Sequence, residues 1–103
     1  MIEVYATRKG EKCRLFVRGH AAPDRDRDAV CAGVSALVQS LVLYAATAPN
    51  ARYLRYDLAS GCAFFSCFGV SQAFSMALLG LEAIAREHPL HVAIKSLAAV
   101  DDK

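Results

Sequence analysis

Residues 13–47 read CRLFVRGHAAPDRDRDAVCAGVSALVQSLVLYAAT, and two changes of pattern inside this stretch decide the fold. From Cys13 to Gly19 apolar and polar side chains alternate, which predicts a half-buried β-strand. The alternation stops at His20, and the proline and four consecutive charged residues that follow predict an exposed loop as far as Arg27. From Asp28 to about Thr47 the side chains are almost all apolar. This run predicts a helix that has Asp28 as its N-cap and is covered on several sides.

Alternating segments lie on both sides of this stretch. The segment Ile2–Thr7 precedes a polar link with a glycine, so we expect it to form a hairpin with the strand from Cys13. The other predicted elements are strands at Arg52–Ala59 and Cys62–Phe68, a helix at Gln72–Glu87 capped by Ser71, and a last strand at His91–Leu97. The order ββαββαβ predicts an α+β fold with a mainly antiparallel sheet and two packed helices.

Length and composition limit what such a fold can do. The chain has 103 residues, which is enough for a single domain over residues 1–103 and too few for two independent cores. The formal net charge is +2 and the basic residues are scattered, so a small RNA-binding domain fits the fold class but lacks the basic face. Polar residues interrupt the apolar helix, and no basic region precedes an apolar one at the N-terminus. We therefore expect no membrane span, no signal peptide and a cytoplasmic location.

The four cysteines do not have the spacing of a metal site. None of them forms a CxxC pair, and Cys62 and Cys67, five residues apart on a predicted strand, should point to opposite faces of the sheet. We expect no zinc or other metal, no cofactor, and reduced thiols. Cys13, Cys62 and Cys67 are interpreted as packing residues of the strands.

The residues that could carry chemistry are His20, Asp28 and Cys31. A cysteine in the first turn of a helix lies beside unpaired backbone N–H groups and the positive end of the helix dipole, and both favour the reactive thiolate. The eleven-residue step from His20 to Cys31 lets the loop fold back and bring the imidazole to the thiol. The pair would then be a nucleophile and a general acid/base. Asp28 could cap the helix, orient His20, or do both.

Each of these residues also has a purely structural interpretation. A single cysteine at a helix start is more often a small buried side chain. A histidine at a strand end is more often a surface or hydrogen-bonding residue. His88 and His91 flank a proline turn, where we expect them to cap the helix or to face solvent.

Read together, Gly-His-Ala at 19–21, a short loop and Asp-Ala-Val-Cys-Ala-Gly-Val-Ser-Ala-Leu at 28–37 resemble the ribosomal-processing cysteine protease family, Prp. The resemblance is specific from Gly19 to Leu37 and extends to the element order of essentially the whole chain. The loop departs from the family pattern at Asp26, where glycine is common, and it is one residue shorter.

The resemblance implies a cysteine endopeptidase in which Cys31 is the nucleophile and His20 the acid/base partner. Ala21, Ala22 and Ser35 are the candidate substrate contacts. The family members are small dimeric cytosolic proteins. They remove the N-terminal extension of ribosomal protein twenty-seven of the large bacterial subunit, and they cleave it after a pair of aromatic residues. The apolar first helix also favours a homodimer, and no direct contact with nucleic acid or membrane is expected. The alternative is a non-catalytic, ribosome-associated module of the same fold that only binds a peptide.

Overall fold

The computed structural model describes residues 1–96 of the chain. Its elements are β1 (Ile2–Lys9), β2 (Lys12–Arg18), α1 (Arg27–Thr47), β3 (Arg52–Ala59), β4 (Cys62–Phe68), α2 (Ser71–Glu87) and β5 (Val92–Ser96). This order confirms the predicted ββαββαβ fold. Leu97, the predicted end of the last strand, lies outside the described residues.

The five strands form one sheet in the order β3-β4-β2-β1-β5. All neighbouring strands are antiparallel except β5, which runs parallel to β1. The exception follows from the topology, because helix α2 carries the chain from β4 across the sheet to the far side of β1, and a crossover of this kind joins strands that run in the same direction. The sheet is therefore mainly antiparallel, as predicted.

Both helices pack on one face of the sheet. The residues of β1 and β2 that point to this face are buried in alternation, and Val4 and Leu15 are 0% and 1% exposed. From β4, Phe65 stacks on Phe74 of α2 with ring centroids 6.4 Å apart. Leu81 of α2 is also completely buried. Burial of side chains of this size is the main stabilising contribution to a domain of this length.

Helix α1 begins at Arg27, and its N-cap is Asp26 rather than Asp28. The Asp26 carbonyl accepts the N–H of Val30 at 3.0 Å, and no side chain caps the helix. The prediction of Asp28 as the cap is wrong because the chain already forms a turn before this residue. In that turn the Asp24 carbonyl accepts the N–H of Arg27 at 3.1 Å. The helical path therefore starts before Asp28 is reached.

Only one side of α1 is covered, whereas the sequence predicted coverage on several sides. The residues buried against the rest of the chain are Val30, Val34, Val38, Leu41, Val42 and Ala45. On the outer side, Leu43 and Tyr44 are 67% and 44% exposed. By length and composition alone the helix could cross a membrane, but its buried side is part of the hydrophobic core. We interpret α1 as a core helix with an apolar outer face.

Strand β1 continues two residues past Thr7, and the boundaries of β2, α2 and β5 differ by one residue from the prediction. Ser71 is the first residue of α2, and Val70 takes the N-cap position without a side-chain hydrogen bond. Strand β5 begins at Val92 instead of His91, because the N–H groups of both residues donate to the His88 carbonyl, at 3.1 and 2.9 Å, and hold them in a turn.

Candidate active site

A cavity of about 190 Å³ opens between the first half of α1 and the turn that joins β3 to β4. Its apolar lining includes Val17, Val34, Val38 and Leu58, and its polar lining includes His20, Cys31 and Ser35. The two residues that the sequence selects as a catalytic pair therefore line the same cavity. An apolar wall with a few polar groups is typical of a binding site for a small or extended ligand.

His20 is held at the end of β2 by contacts of its backbone and of its neighbour Gly19. The N–H of Gly19 donates to the Gly61 carbonyl at 2.9 Å. The amino group of Met1 donates to the His20 carbonyl at 2.6 Å. Gly19 has a φ of +100°, a conformation that glycine adopts without strain. The chain thus leaves the sheet in a defined direction while the His20 side chain stays exposed.

The imidazole of His20 lies directly over Gly61 in the β3–β4 turn. A Cβ atom added to Gly61 would be 2.6 Å from His20 Nε2 and 2.8 Å from Cε1. Gly61 also has a φ of +74°, so the turn requires glycine for its backbone as well as for this close approach. The β3–β4 turn therefore forms the wall against which His20 is placed.

Cys31 is the fifth residue of α1 and is half-buried. The sequence predicts it as the third residue, and the earlier helix start moves it two residues further from the helix N-terminus. It remains near the positive end of the helix dipole. In residues 1–96 no hydrogen bond joins the Cys31 thiol to the His20 imidazole, so the two groups share the cavity without direct contact. Catalytic groups are often further apart in a free site than in the complex with substrate.

The other predicted site residues do not lie together. Asp28 is the second residue of α1 and is exposed, and the structure of residues 1–96 gives it no hydrogen bond or ion pair with His20. Ser35 lines the cavity. Ala21 is 4% exposed and belongs to the core, and Ala22 donates its backbone N–H to His91. Neither alanine is part of the cavity wall.

The four thiols have different environments. Cys13 and Cys67 face each other across β2 and β4 and are completely buried. Burial raises the pKa of the Cys13 thiol. Cys62 is exposed and lines the cavity, so its interpretation as a packing residue is wrong. Cys31 and Cys62 are thus the two thiols that a molecule in the cavity can reach.

His91 is a buried residue near the site whose contacts the sequence did not indicate. It is 4% exposed, whereas we expected it to cap a helix or to face solvent. Its Nδ1 accepts the N–H of Ala22 at 3.1 Å, and its Nε2 lies 3.0 Å from Oδ2 of Asp24. No local signal shows this, because both partners belong to the loop before α1.

Comparison with known proteins gives a family and a fold. The sequence profile of the family described as cysteine protease Prp matches residues 1–93. A search of curated proteins finds no significant match. Among solved structures, the chain is similar to the essential ribosomal processing protease Prp of Staphylococcus aureus in complex with a covalently linked product peptide, with a TM-score of 0.78 and 24% identity. That alignment covers 94% of this chain and 100% of the other.

Two further structures have the same fold. The same Staphylococcus aureus protease in complex with a substrate peptide aligns with a TM-score of 0.73 and 22% identity, over 94% of this chain and 100% of that one. The protein SMU.848 of Streptococcus mutans aligns with a TM-score of 0.73 and 23% identity, over 95% of each chain. Likeness at this identity establishes the fold of the chain.

Proposed function

The chain belongs to the cysteine protease Prp family, and from this membership we propose that it is a cysteine endopeptidase with Cys31 as nucleophile and His20 as general acid/base. The observation that carries the proposal is that both side chains line one cavity, between α1 and the β3–β4 turn. A thiol and an imidazole on the wall of one cavity are the minimum needed for covalent cleavage of a peptide bond.

The proposed reaction uses the two side chains in turn. His20 takes the proton of the Cys31 thiol, and the thiolate then attacks the scissile carbonyl carbon and forms a tetrahedral intermediate with the negative charge on oxygen. This intermediate collapses as the C–N bond breaks, and His20 gives its proton to the leaving amine. The product amine departs and a thioester remains on Cys31. His20 then takes a proton from a water molecule, which attacks the thioester and releases the new carboxyl group and the thiol.

The position of Cys31 gives the thiolate limited help from the helix. At the fifth helical position its own N–H belongs to the intrahelical ladder, and the unpaired N–H groups lie in the turn before it. His20 therefore has the larger part in generating and holding the thiolate. This requires the imidazole and thiol to meet transiently in the free protein and to stay together when a substrate fills the cavity, as occurs in many sites that tighten on binding.

The proposed substrate is the N-terminal extension of ribosomal protein twenty-seven of the large bacterial subunit. We propose that the protease cleaves this extension after a pair of aromatic residues and that it acts in the cytoplasm. The apolar cavity wall of Val34, Val38 and Leu58 is suited to an aromatic side chain. Strand β3 is an edge of the sheet, and an extended peptide can pair with an edge strand. Ser35, on the cavity wall, is the candidate polar contact.

We also propose that the protein is a homodimer. The outer face of α1 leaves Leu43 and Tyr44 exposed, and a second copy would cover them. Sedimentation at micromolar concentration is expected to give a species of twice the 11.1 kDa chain mass. A single 11.1 kDa species would contradict the dimer without affecting the proposed reaction.

The decisive experiment is cleavage of a synthetic peptide that carries the ribosomal protein's N-terminal extension. C31A and H20A are expected to lose cleavage while keeping the wild-type circular dichroism spectrum. C62A is the matched control, because Cys62 is an exposed thiol on the same cavity wall, and it should cleave normally. Cleavage by C31A at the wild-type rate would exclude the mechanism.

Thiol labelling separates the enzyme from the binding module of the same fold. The absence of a Cys31–His20 hydrogen bond in the described residues is the observation that keeps this second candidate in view. Labelling by iodoacetamide near neutral pH should be much faster at Cys31 than at Cys62 if the imidazole maintains a thiolate. Equal, slow labelling of both, together with binding of the peptide but no cleavage, would favour the module.

A further inference from the structure

The His91 side chain connects the β5 end of the sheet to the loop that carries His20, and the proposed reaction gives it no role. Its Nδ1 accepts a backbone N–H and therefore carries no proton, so the ring proton is on Nε2, which lies 3.0 Å from Oδ2 of Asp24. Both ring nitrogens are thus in use within a side chain that is almost completely buried. A buried imidazole with a polar partner at each nitrogen restricts the movement of both partners, Ala22 and Asp24.

The two contacts of His91 reach both ends of the loop between β2 and α1. Ala22, the first partner, follows His20 by two positions. Asp24, the second partner, also contacts the start of the helix, because its Oδ1 accepts the N–H of the N-cap residue Asp26 at 2.9 Å. One side chain is therefore bonded to the segment after His20 and, through a carboxylate, to the helix that carries Cys31.

His91 is itself held by its backbone. Its N–H donates to the His88 carbonyl at 2.9 Å, and its carbonyl accepts the N–H of Ile2 at 2.7 Å. These bonds connect it to the end of α2 and to the start of β1. The loop is thereby fastened to the sheet and to both helices at a point outside the cavity.

We propose that His91 is a positioning residue of the active site: its hydrogen bond from Ala22 and its polar contact with Asp24, here called the His91 clamp, fix the His20–Arg27 loop and so set the spacing of His20 and Cys31. The inference rests on the proposed function for its catalytic meaning. The conformation of the loop, however, can be measured without any reaction.

A metal ion is the rival explanation of the same cluster. Asp26, His88 and His91 each place a potential ligand atom within 4.8 Å of the others. A metal on Nε2 of His91 would require the ring proton on Nδ1, where the N–H of Ala22 already points, and a metal on Nδ1 would displace Ala22. The hydrogen bond from Ala22 therefore favours the clamp over a metal site.

Three substitutions of His91 separate its two bonds. H91N keeps an acceptor near the position of Nδ1, H91Q keeps a donor near that of Nε2, and H91A keeps neither. H88A is the matched control, because the His88 ring lies 5.8 Å from the His91 ring and, within residues 1–96, its side chain makes no hydrogen bond to the loop. H88A also removes one of the potential metal ligands.

Amide hydrogen exchange measured by NMR is the direct readout. In H91A the amides of Ala22 and Asp26 should exchange about tenfold faster. Ala22 loses its hydrogen bond to the imidazole, and Asp26 keeps a bond to Asp24 that His91 no longer holds in place. Amides in the β1–β2 ladder should not change. H91N should restore slow exchange at Ala22 only, and H91Q at Asp26 only. Peptide cleavage should fall about tenfold in H91A, mainly in kcat, and H88A should match the wild type in every measurement.

The outcomes separate the clamp, the metal and the proposed function. Unchanged exchange at Ala22 in H91A would overturn the clamp. Equal damage in H88A and H91A, with a rise in Tm on addition of Zn²⁺ to the wild type, would replace it with a metal site. Faster exchange in H91A with normal kcat and KM would remove the positioning role and leave the reaction intact. If the wild type cleaves nothing while exchange in H91A still rises, the proposed function fails and the clamp remains.

Discussion

Gly61 is the residue whose substitution tests the placement of His20 most directly. In G61A the new Cβ would be 2.6 Å from His20 Nε2, whereas ordinary contacts of a Cβ begin at about 3.4 Å. The imidazole must therefore move by about 0.8 Å, the difference between these two distances. Since the turn backbone is bonded to Gly19 through the Gly61 carbonyl, the side chain of His20 is the part that can give way.

Two effects of different size follow from this geometry. The left-handed conformation of residue 61, φ +74°, costs an alanine about 1–2 kcal/mol, which lowers the free energy of unfolding. Displacement of a catalytic group by about 1 Å can reduce the rate about a hundredfold. For a shift of the size required here we expect kcat/KM to fall by roughly 10- to 100-fold.

G10A is the matched control for G61A. Gly10 also has a positive φ, +58°, but a Cβ added there would meet nothing within 4 Å. G10A should therefore lose a similar amount of stability in urea unfolding while its kcat/KM for the extension peptide stays at the wild-type value. Circular dichroism at the assay temperature confirms that each variant is folded. If G61A and G10A have the same kcat/KM, the placement of His20 against this turn has no catalytic meaning.

Three smaller predictions test the fold around the site. L81A should lower the free energy of unfolding by about 2–5 kcal/mol in urea titration, because Leu81 is completely buried in the core. The hydrogen bond from Arg18 lowers the pKa of Glu3. The Glu3 carboxylate therefore stabilises the fold at neutral pH and loses this contribution as the pH falls through the lowered pKa. In E3Q, the Tm measured as a function of pH should fall less steeply in acid than in the wild type. Burial raises the pKa of Cys13, so peptide mass spectrometry should find Cys13 alkylated far more slowly than Cys62 in the native protein, and equal rates would contradict its position in the core.

The strands and their order are predictable because their pattern is local. In β1 and β2 every second side chain is buried by the helices, so the alternation in the sequence directly records which face is covered. Strands β3 and β4 have the predicted bounds, Arg52–Ala59 and Cys62–Phe68, because Ser60 and Gly61 interrupt the pattern between them. Element order in this chain therefore requires no long-range information.

The helix start is different, because several residues compete for the same role. Asp24, Asp26 and Asp28 all belong to the residue type that caps helices best, so the sequence offers three equivalent starts. The choice of Asp26 depends on Asp24, whose Oδ1 binds the Asp26 N–H while its Oδ2 contacts His91. A residue distant in sequence thus contacts the loop in which the helix starts, and local propensity cannot include that contact.

The wall of the site also depends on strand pairing that the sequence leaves open. The hairpin of β3 and β4 was predicted, but its neighbour in the sheet was not. Pairing of β4 with β2 places Cys62 opposite Arg18, and this register brings the β3–β4 turn to the end of β2, directly beside His20. Cys62 and Gly61 could have been recognised as site residues only from that register.

The two members of the proposed pair owe their positions to different parts of the molecule. Cys31 is placed by α1, whose buried side belongs to the core. His20 is placed by the β3–β4 turn on one side and, through Ala22, by His91 on the other. A change at Gly61 or His91 should therefore move the imidazole and leave the access to the thiol unchanged. It follows that such variants should cleave more slowly and also show slower Cys31 alkylation, since both require the imidazole nearby, while Cys62 on the same wall keeps its alkylation rate.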